Sequence, residues 1–114
     1  MSLNFVAMGL YVIAATGGLI MALRIFQEKP SPAILAILHL AFAGAGSLTL
    51  ATFIFSGTVD SLFTLALVLY VIAALGGLFL GSFRFRDSYP PKAVVVIHAG
   101  VAVAGTLTLL MASF

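Results

Sequence analysis

The sequence predicts an all-α membrane protein: a four-transmembrane-helix, up-down bundle built from two tandem helical-hairpin repeats in the same orientation. Three observations predict it. Of 114 residues, 63% are hydrophobic and only 7% charged, against about a quarter charged in soluble domains. The apolar residues fall into four stretches, each near the roughly 20 residues needed to cross a hydrocarbon core. A shift of 59 residues lays the first half of the chain on the second without a gap.

The first span, Leu3 to Leu23, has no basic residue ahead of it and is longer than a signal-peptide core, so it is expected to be retained. A polar break, Arg24 to Ser31, follows. The second span, Ala33 to Phe55, is expected to open with Ser31 as N-cap and Pro32 at the first helical position, where the missing N–H costs nothing. After Ser56 to Ser61 comes the third span, Leu62 to Phe83, and after Arg84 to Pro91 the fourth, Ala93 to Phe114. Pro91 repeats the signal of Pro32. Connections this short force antiparallel neighbours, giving a single transmembrane domain over 1–114.

The repeat covers 1–55 and 60–114. Leu10-Tyr11-Val12-Ile13-Ala14-Ala15 matches Leu69-Tyr70-Val71-Ile72-Ala73-Ala74, and Gly17-Gly18-Leu19 matches Gly76-Gly77-Leu78. Pro32, His39, Gly46 and Leu48-Thr49-Leu50 match Pro91, His98, Gly105 and Leu107-Thr108-Leu109, and 18 of the 41 positions from Leu10 to Leu50 are identical to their partners. Each copy holds two spans, so both enter the membrane in the same direction and are expected to be related by a pseudo-two-fold axis along the membrane normal. All five cations (Arg24, Lys29, Arg84, Arg86, Lys92) flank the first and third breaks. The positive-inside rule therefore puts loops 1 and 3 in the cytoplasm and both termini outside, in a membrane expected to be the bacterial inner (cytoplasmic) membrane.

Composition also excludes chemistry. There is no cysteine, hence no disulfide, thiolate metal site, iron–sulfur cluster or cysteine nucleophile. A net charge of +2 without a basic run excludes nucleic acid. No Asp or Glu lies within a span, which disfavours a proton-coupled small transporter unless the histidines substitute. No nucleophile, base and acid constellation suggests a hydrolase or transferase. Electron transfer is therefore more expected than catalysis on a substrate of its own.

His39 and His98 each lie seven residues past a proline, about 10 Å inside the cytoplasmic end at 1.5 Å per residue. A histidine in a lipid-spanning helix is a functional-site candidate, because burial is expensive unless it is paired, hydrogen-bonded or metal-bound. On the face of His39, four and seven residues on, are Ala43 and Gly46; on that of His98, Ala102 and Gly105. Gly17-Gly18 and Gly76-Gly77 fall at the same depth on the neighbouring spans. Two axial histidines with glycines beside them suit a flat apolar ligand, and the expectation is one haem b, its iron held by His39 and His98. Its propionates would be neutralised by cations of loops 1 and 3, Arg24 and Arg84 foremost.

The pattern His39, Gly46, His98, Gly105 with Gly17-Gly18 and Gly76-Gly77 resembles small four-helix b-type membrane cytochromes, in which haem lies between transmembrane helices against small residues. The resemblance is architectural. It implies electron transfer, with a membrane redox partner or quinone. The larger cytochrome b families place two histidines on one helix; here each helix has one, limiting a chain to one bis-histidine haem. Carrying electrons across would then need a homodimer or a larger complex.

Other readings stand beside this one. The glycines also fit small-xxx-small helix packing in lipid, and the histidines fit interhelical hydrogen bonding or a proton or metal role. Thr49 and Thr108 are expected to bond their own preceding turns, and Tyr11 and Tyr70 to serve as interfacial anchors or interhelical hydrogen bonds. In class terms, the rival to a cytochrome is a structural or assembly subunit of a membrane complex.

Overall fold

The computed structural model describes residues 2–114, which form four helices: α1 (Leu3–Phe26), α2 (Ala33–Phe55), α3 (Ser61–Ser82) and α4 (Lys92–Ser113). A 3-10 turn, Phe83–Phe85, extends α3, and among the described residues there is no strand. All four helices are long and apolar enough to cross a membrane.

The helix ends follow from local chemistry, with differences from the sequence reading at α1, α2 and α4, where Pro91 takes the cap position and the helix starts at Lys92. α2 starts at Ala33, so Pro32 occupies the cap position and Ser31 caps nothing; the Ser31 hydroxyl instead accepts from Arg84. The side-chain cap of the bundle is Asp60, whose carboxylate accepts from the Leu62 amide at 2.8 Å at the start of α3. α1 runs three residues past Leu23 and closes with the Lys29 amide on the Arg24 carbonyl and the Glu28 amide on the Ile25 carbonyl. That pattern requires a left-handed residue, and Glu28 takes it at φ 56°. Asp87, 59 positions on, has the same φ of 56°.

The antiparallel course is visible in the contacts. Tyr11 and Ala14 of α1 meet Ser47 and His39 of α2, and Tyr70 and Ala73 of α3 meet Thr106 and His98 of α4. Between the hairpins, Asn4 donates to Ser113 at 3.1 Å, Phe5 packs edge-on to Phe114, and Phe53 edge-on to Phe63. The connected core lies at this end, around Ala7, Leu50, Phe63, Ala66 and Leu109 with Tyr11 and Tyr70 as its inner boundary. Toward loops 1 and 3 the hairpins part around a cavity of ≈ 1310 Å³.

Candidate functional site

The cavity is lined at its centre by residues that repeat, among them Tyr11 and Tyr70, Gly18 and Gly77, and His39 and His98. Its floor is a stack of Tyr11 on Tyr70, ring centroids 3.6 Å apart and planes within 8°. Glycine makes this possible. A Cβ on Gly46 would lie 3.2 Å from Cδ1, Cε1 and Cζ of Tyr11, and one on Gly105 3.3–3.4 Å from the same atoms of Tyr70. Three near-equal distances put each glycine over a ring face, and the other face is taken by the partner tyrosine.

The phenols are tied outward. Ser47 donates its hydroxyl to the Ala43 carbonyl and Thr106 to the Ala102 carbonyl, each at 3.0 Å. A hydroxyl has one hydrogen, so the Tyr11 hydroxyl donates to Ser47 (2.8 Å) and the Tyr70 hydroxyl to Thr106 (2.6 Å). The interhelical hydrogen bond expected of these tyrosines is present. Thr49 and Thr108 bond the carbonyls of Ala45 and Ala104, one turn back, as expected.

One turn above the floor, His39 Nδ1 lies 2.7 Å from the Ala14 carbonyl and His98 Nδ1 2.8 Å from the Ala73 carbonyl. A carbonyl only accepts, so Nδ1 carries the proton and donates; in the neutral ring, Nε2 is left with a free lone pair. The two rings are neighbours across the hairpins, with centroids 6.2 Å apart and planes nearly perpendicular at 77°. Both line the cavity. Chemically, the pair offers two aromatic nitrogen ligands, or two hydrogen-bond acceptors, to whatever occupies the space between the hairpins.

The remaining predicted residues divide. Gly18 and Gly77 lie against the imidazoles: a Cβ there would fall 2.8 Å from Cε1 of His39 and 3.0 Å from Cε1 of His98. A Cβ at Gly17 or Gly76 would meet the histidine Cβ at an ordinary 3.8 Å, and at Gly76 also His98 Nδ1 at 3.7 Å, so these two glycines leave the imidazoles no special room. Gly46 and Gly105 seat the tyrosines, not the histidines. Arg84 lines the mouth and reaches loop 1, giving its Nη1 to the Ser31 carbonyl (3.1 Å) and its Nη2 to the Ser31 hydroxyl (2.8 Å). Arg24 turns to its own loop, its Nε donating to the Pro30 carbonyl at 2.8 Å; the loop 1 cation lining the mouth is Lys29. Tyr89 adds a second clasp, its hydroxyl donating to the Glu28 carbonyl at 2.7 Å.

Sequence reasoning did not find the tyrosine stack, its Ser47 and Thr106 acceptors, or the carbonyls of Ala14 and Ala73. The signal available was the offset itself, since Tyr11, Ala14 and Gly46 all recur 59 positions on. Among the described residues no group of three or more His, Cys, Asp or Glu is placed to hold a metal ion. Compared with known proteins, the chain matches no family model, no curated protein and no solved structure.

Proposed function

We propose that this chain is an integral membrane haem protein, built by duplication of a two-helix hairpin, that holds one haem b between His39 and His98 and passes single electrons. Membrane insertion is supported by what the helices leave uncovered. Leu19, Leu48, Phe55, Leu75, Leu107 and Met111 are each more than half exposed, an arrangement stable in lipid and costly in water. Duplication is supported by the two histidine–carbonyl bonds and the two tyrosine–hydroxyl bonds, each pair separated by 59 positions in the sequence. The cations flanking loops 1 and 3 favour a cytoplasmic position for that end, with the termini outside, in a bacterial inner membrane.

The observation that carries the haem reading is the imidazole pair. Two imidazoles that share one iron through bonds of about 2 Å would need ring centroids about 6 Å apart, and those of His39 and His98 stand at 6.2 Å. Donation of the other ring N–H to a backbone carbonyl is the usual support of a metal-bound histidine. Two ligands do not satisfy a bare ion, and the described residues offer no third; a porphyrin brings four of its own. The donor set and the cavity therefore fit the group.

His39 and His98 would hold the haem, which would supply one-electron exchange. The chain's own residues do the rest. The carbonyls of Ala14 and Ala73 keep the imidazole proton on Nδ1 and Nε2 free. Tyr11, Tyr70 and the packed core behind them exclude water from the terminal side. At the mouth, Arg84 and Lys29 are placed to neutralise carboxylates, with Arg24 one layer further out. The electron partner is proposed to be a membrane redox protein or a quinone.

A second reading has its own support. Each Nδ1–H already ties two helices of one hairpin together, which is the geometry of interhelical glue, worth about 1–2 kcal/mol in lipid. On that reading the chain is a structural subunit of a membrane complex. The deciding experiment is the absorption spectrum of detergent-purified protein, oxidised and reduced, with a pyridine haemochromogen count. Sharp reduced α and β bands at one haem per chain, lost in His39→Ala and in His98→Ala while both variants still insert, are expected. A colourless protein after expression with added haem, or variants retaining full cofactor, refutes the ligand assignment.

A further inference from the structure

We propose that Gly18 and Gly77 are positioning residues that hold the planes of the two imidazoles nearly perpendicular, so that an iron they share is placed in an axially symmetric ligand field. The proposal rests on the haem reading above and concerns what the chain does to its ligands.

The plane of an imidazole is defined by its attachment and by the direction of its Nδ1–H, because that bond lies in the ring. For His39 the direction is set by the Ala14 carbonyl at 2.7 Å, and for His98 by the Ala73 carbonyl at 2.8 Å. Both acceptors are backbone atoms inside helices, with no freedom to follow the ring. Bound to its carbonyl, each ring turns its Cε1 edge to the neighbouring helix at the glycine four residues after the acceptor. There any side chain would collide: a Cβ would stand 2.8 Å from His39 Cε1 at Gly18 and 3.0 Å from His98 Cε1 at Gly77. Carbonyl and glycine together leave one orientation per ring, and the two orientations differ by 77°.

This angle has an electronic consequence. An imidazole interacts through its π system with one of the two iron d orbitals that contain the axial direction. Coplanar imidazoles act on the same orbital and split the pair, whereas perpendicular ones act on both equally and leave them close in energy. A low-spin ferric centre with near-degenerate orbitals retains a large orbital moment. Its electron paramagnetic resonance spectrum then collapses toward one broad low-field feature in place of three resolved ones.

The test is the low-temperature paramagnetic resonance spectrum of ferric, haem-loaded protein in detergent, compared with Gly18→Ala, Gly77→Ala and the control Gly100→Ala, where a Cβ meets nothing within 4 Å. The expected wild-type spectrum is the single low-field feature. Either glycine variant is expected to move it toward a three-feature pattern, or to weaken haem binding at least tenfold while helicity stays unchanged; Gly100→Ala is expected to match the wild type. A three-feature wild-type spectrum, or glycine variants indistinguishable from the control, overturns the positioning proposal and leaves the bis-histidine reading standing. A protein that binds no haem, or binds it only high-spin, overturns the reading beneath it as well.

Discussion

Replacing Gly46 by alanine tests the stacked tyrosine layer of the molecule. The new methyl would sit 3.2 Å from three carbons of the Tyr11 ring, where carbon pairs prefer about 3.5–4.0 Å. Tyr11 cannot retreat: Tyr70 lies 3.6 Å behind it, and behind Tyr70 is Gly105, itself without room for a Cβ closer than 3.3 Å. The displacement must pass through the whole sandwich or force a helix outward, and overpacking of this kind costs about 1–3 kcal/mol. Removing a helical glycine works the other way, by about 1 kcal/mol, so Gly44→Ala, whose Cβ meets nothing within 4 Å, is the reference. Gly46→Ala is expected to be less stable than Gly44→Ala by about 1–3 kcal/mol. The assay is reversible unfolding in mixed micelles of ionic and non-ionic detergent, followed by circular dichroism. Combining Gly46→Ala with Gly105→Ala pushes on the stack from both sides, so the double variant is expected to lose more than the sum of the singles. Equal stability of Gly46→Ala and Gly44→Ala would refute the sandwich.

Other expectations can be measured in the same way. Tyr11→Phe leaves Ser47 still donating to Ala43 and should cost about 0.6 kcal/mol, the mean for such bonds in lipid. Ser47→Ala strands a buried phenol hydroxyl and should cost about 1–3 kcal/mol; the reverse order would contradict the donor assignment. Asp60→Ala should cost about 0.5–2 kcal/mol and speed hydrogen exchange at the Leu62 amide. Arg84→Ala removes one of the two clasps between loops 1 and 3, leaving that of Tyr89, and should cost about 1 kcal/mol, with faster amide exchange confined to the two loops; unchanged exchange would show that this clasp does not hold them.

Helix number, breaks and the antiparallel course were legible in the sequence because each rests on a strong local signal: span length, proline, and the scarcity of charge. The histidine pair was legible for the same reason, as the ionisable groups standing out in apolar helices. Which way each face turns was not. In lipid the outside of a helix is as apolar as the inside, so no stripe marks the buried side. Gly46 illustrates the cost. Spacing puts it on the face of His39, but two turns deeper, at the level of Tyr11, and only the packed structure separates a glycine beside an imidazole (Gly18) from one beside a phenol (Gly46). Nor did spacing show where Arg24 turns: its Nε donates to the Pro30 carbonyl of its own loop, and the loop 1 cation lining the mouth is Lys29. Ser31 was read as a cap because serine commonly is one, whereas Arg84 claims its hydroxyl from 53 positions away.

The meeting of Tyr11 with Tyr70, and of His39 with His98, places each central side chain against the residue 59 positions away. A surface that meets its own counterpart is self-complementary, as in an isologous dimer. The two hairpins therefore meet through the same side chains at these central layers, as the halves of an isologous dimer would. What such a homodimer lacks is a preference between like and unlike halves. Loop 3 provides the donors, Arg84 and Tyr89, and loop 1 the acceptors, Ser31 and the Glu28 carbonyl. These mouth contacts run one way only, from loop 3 to loop 1, whereas the tyrosine and histidine pairs bring like to like.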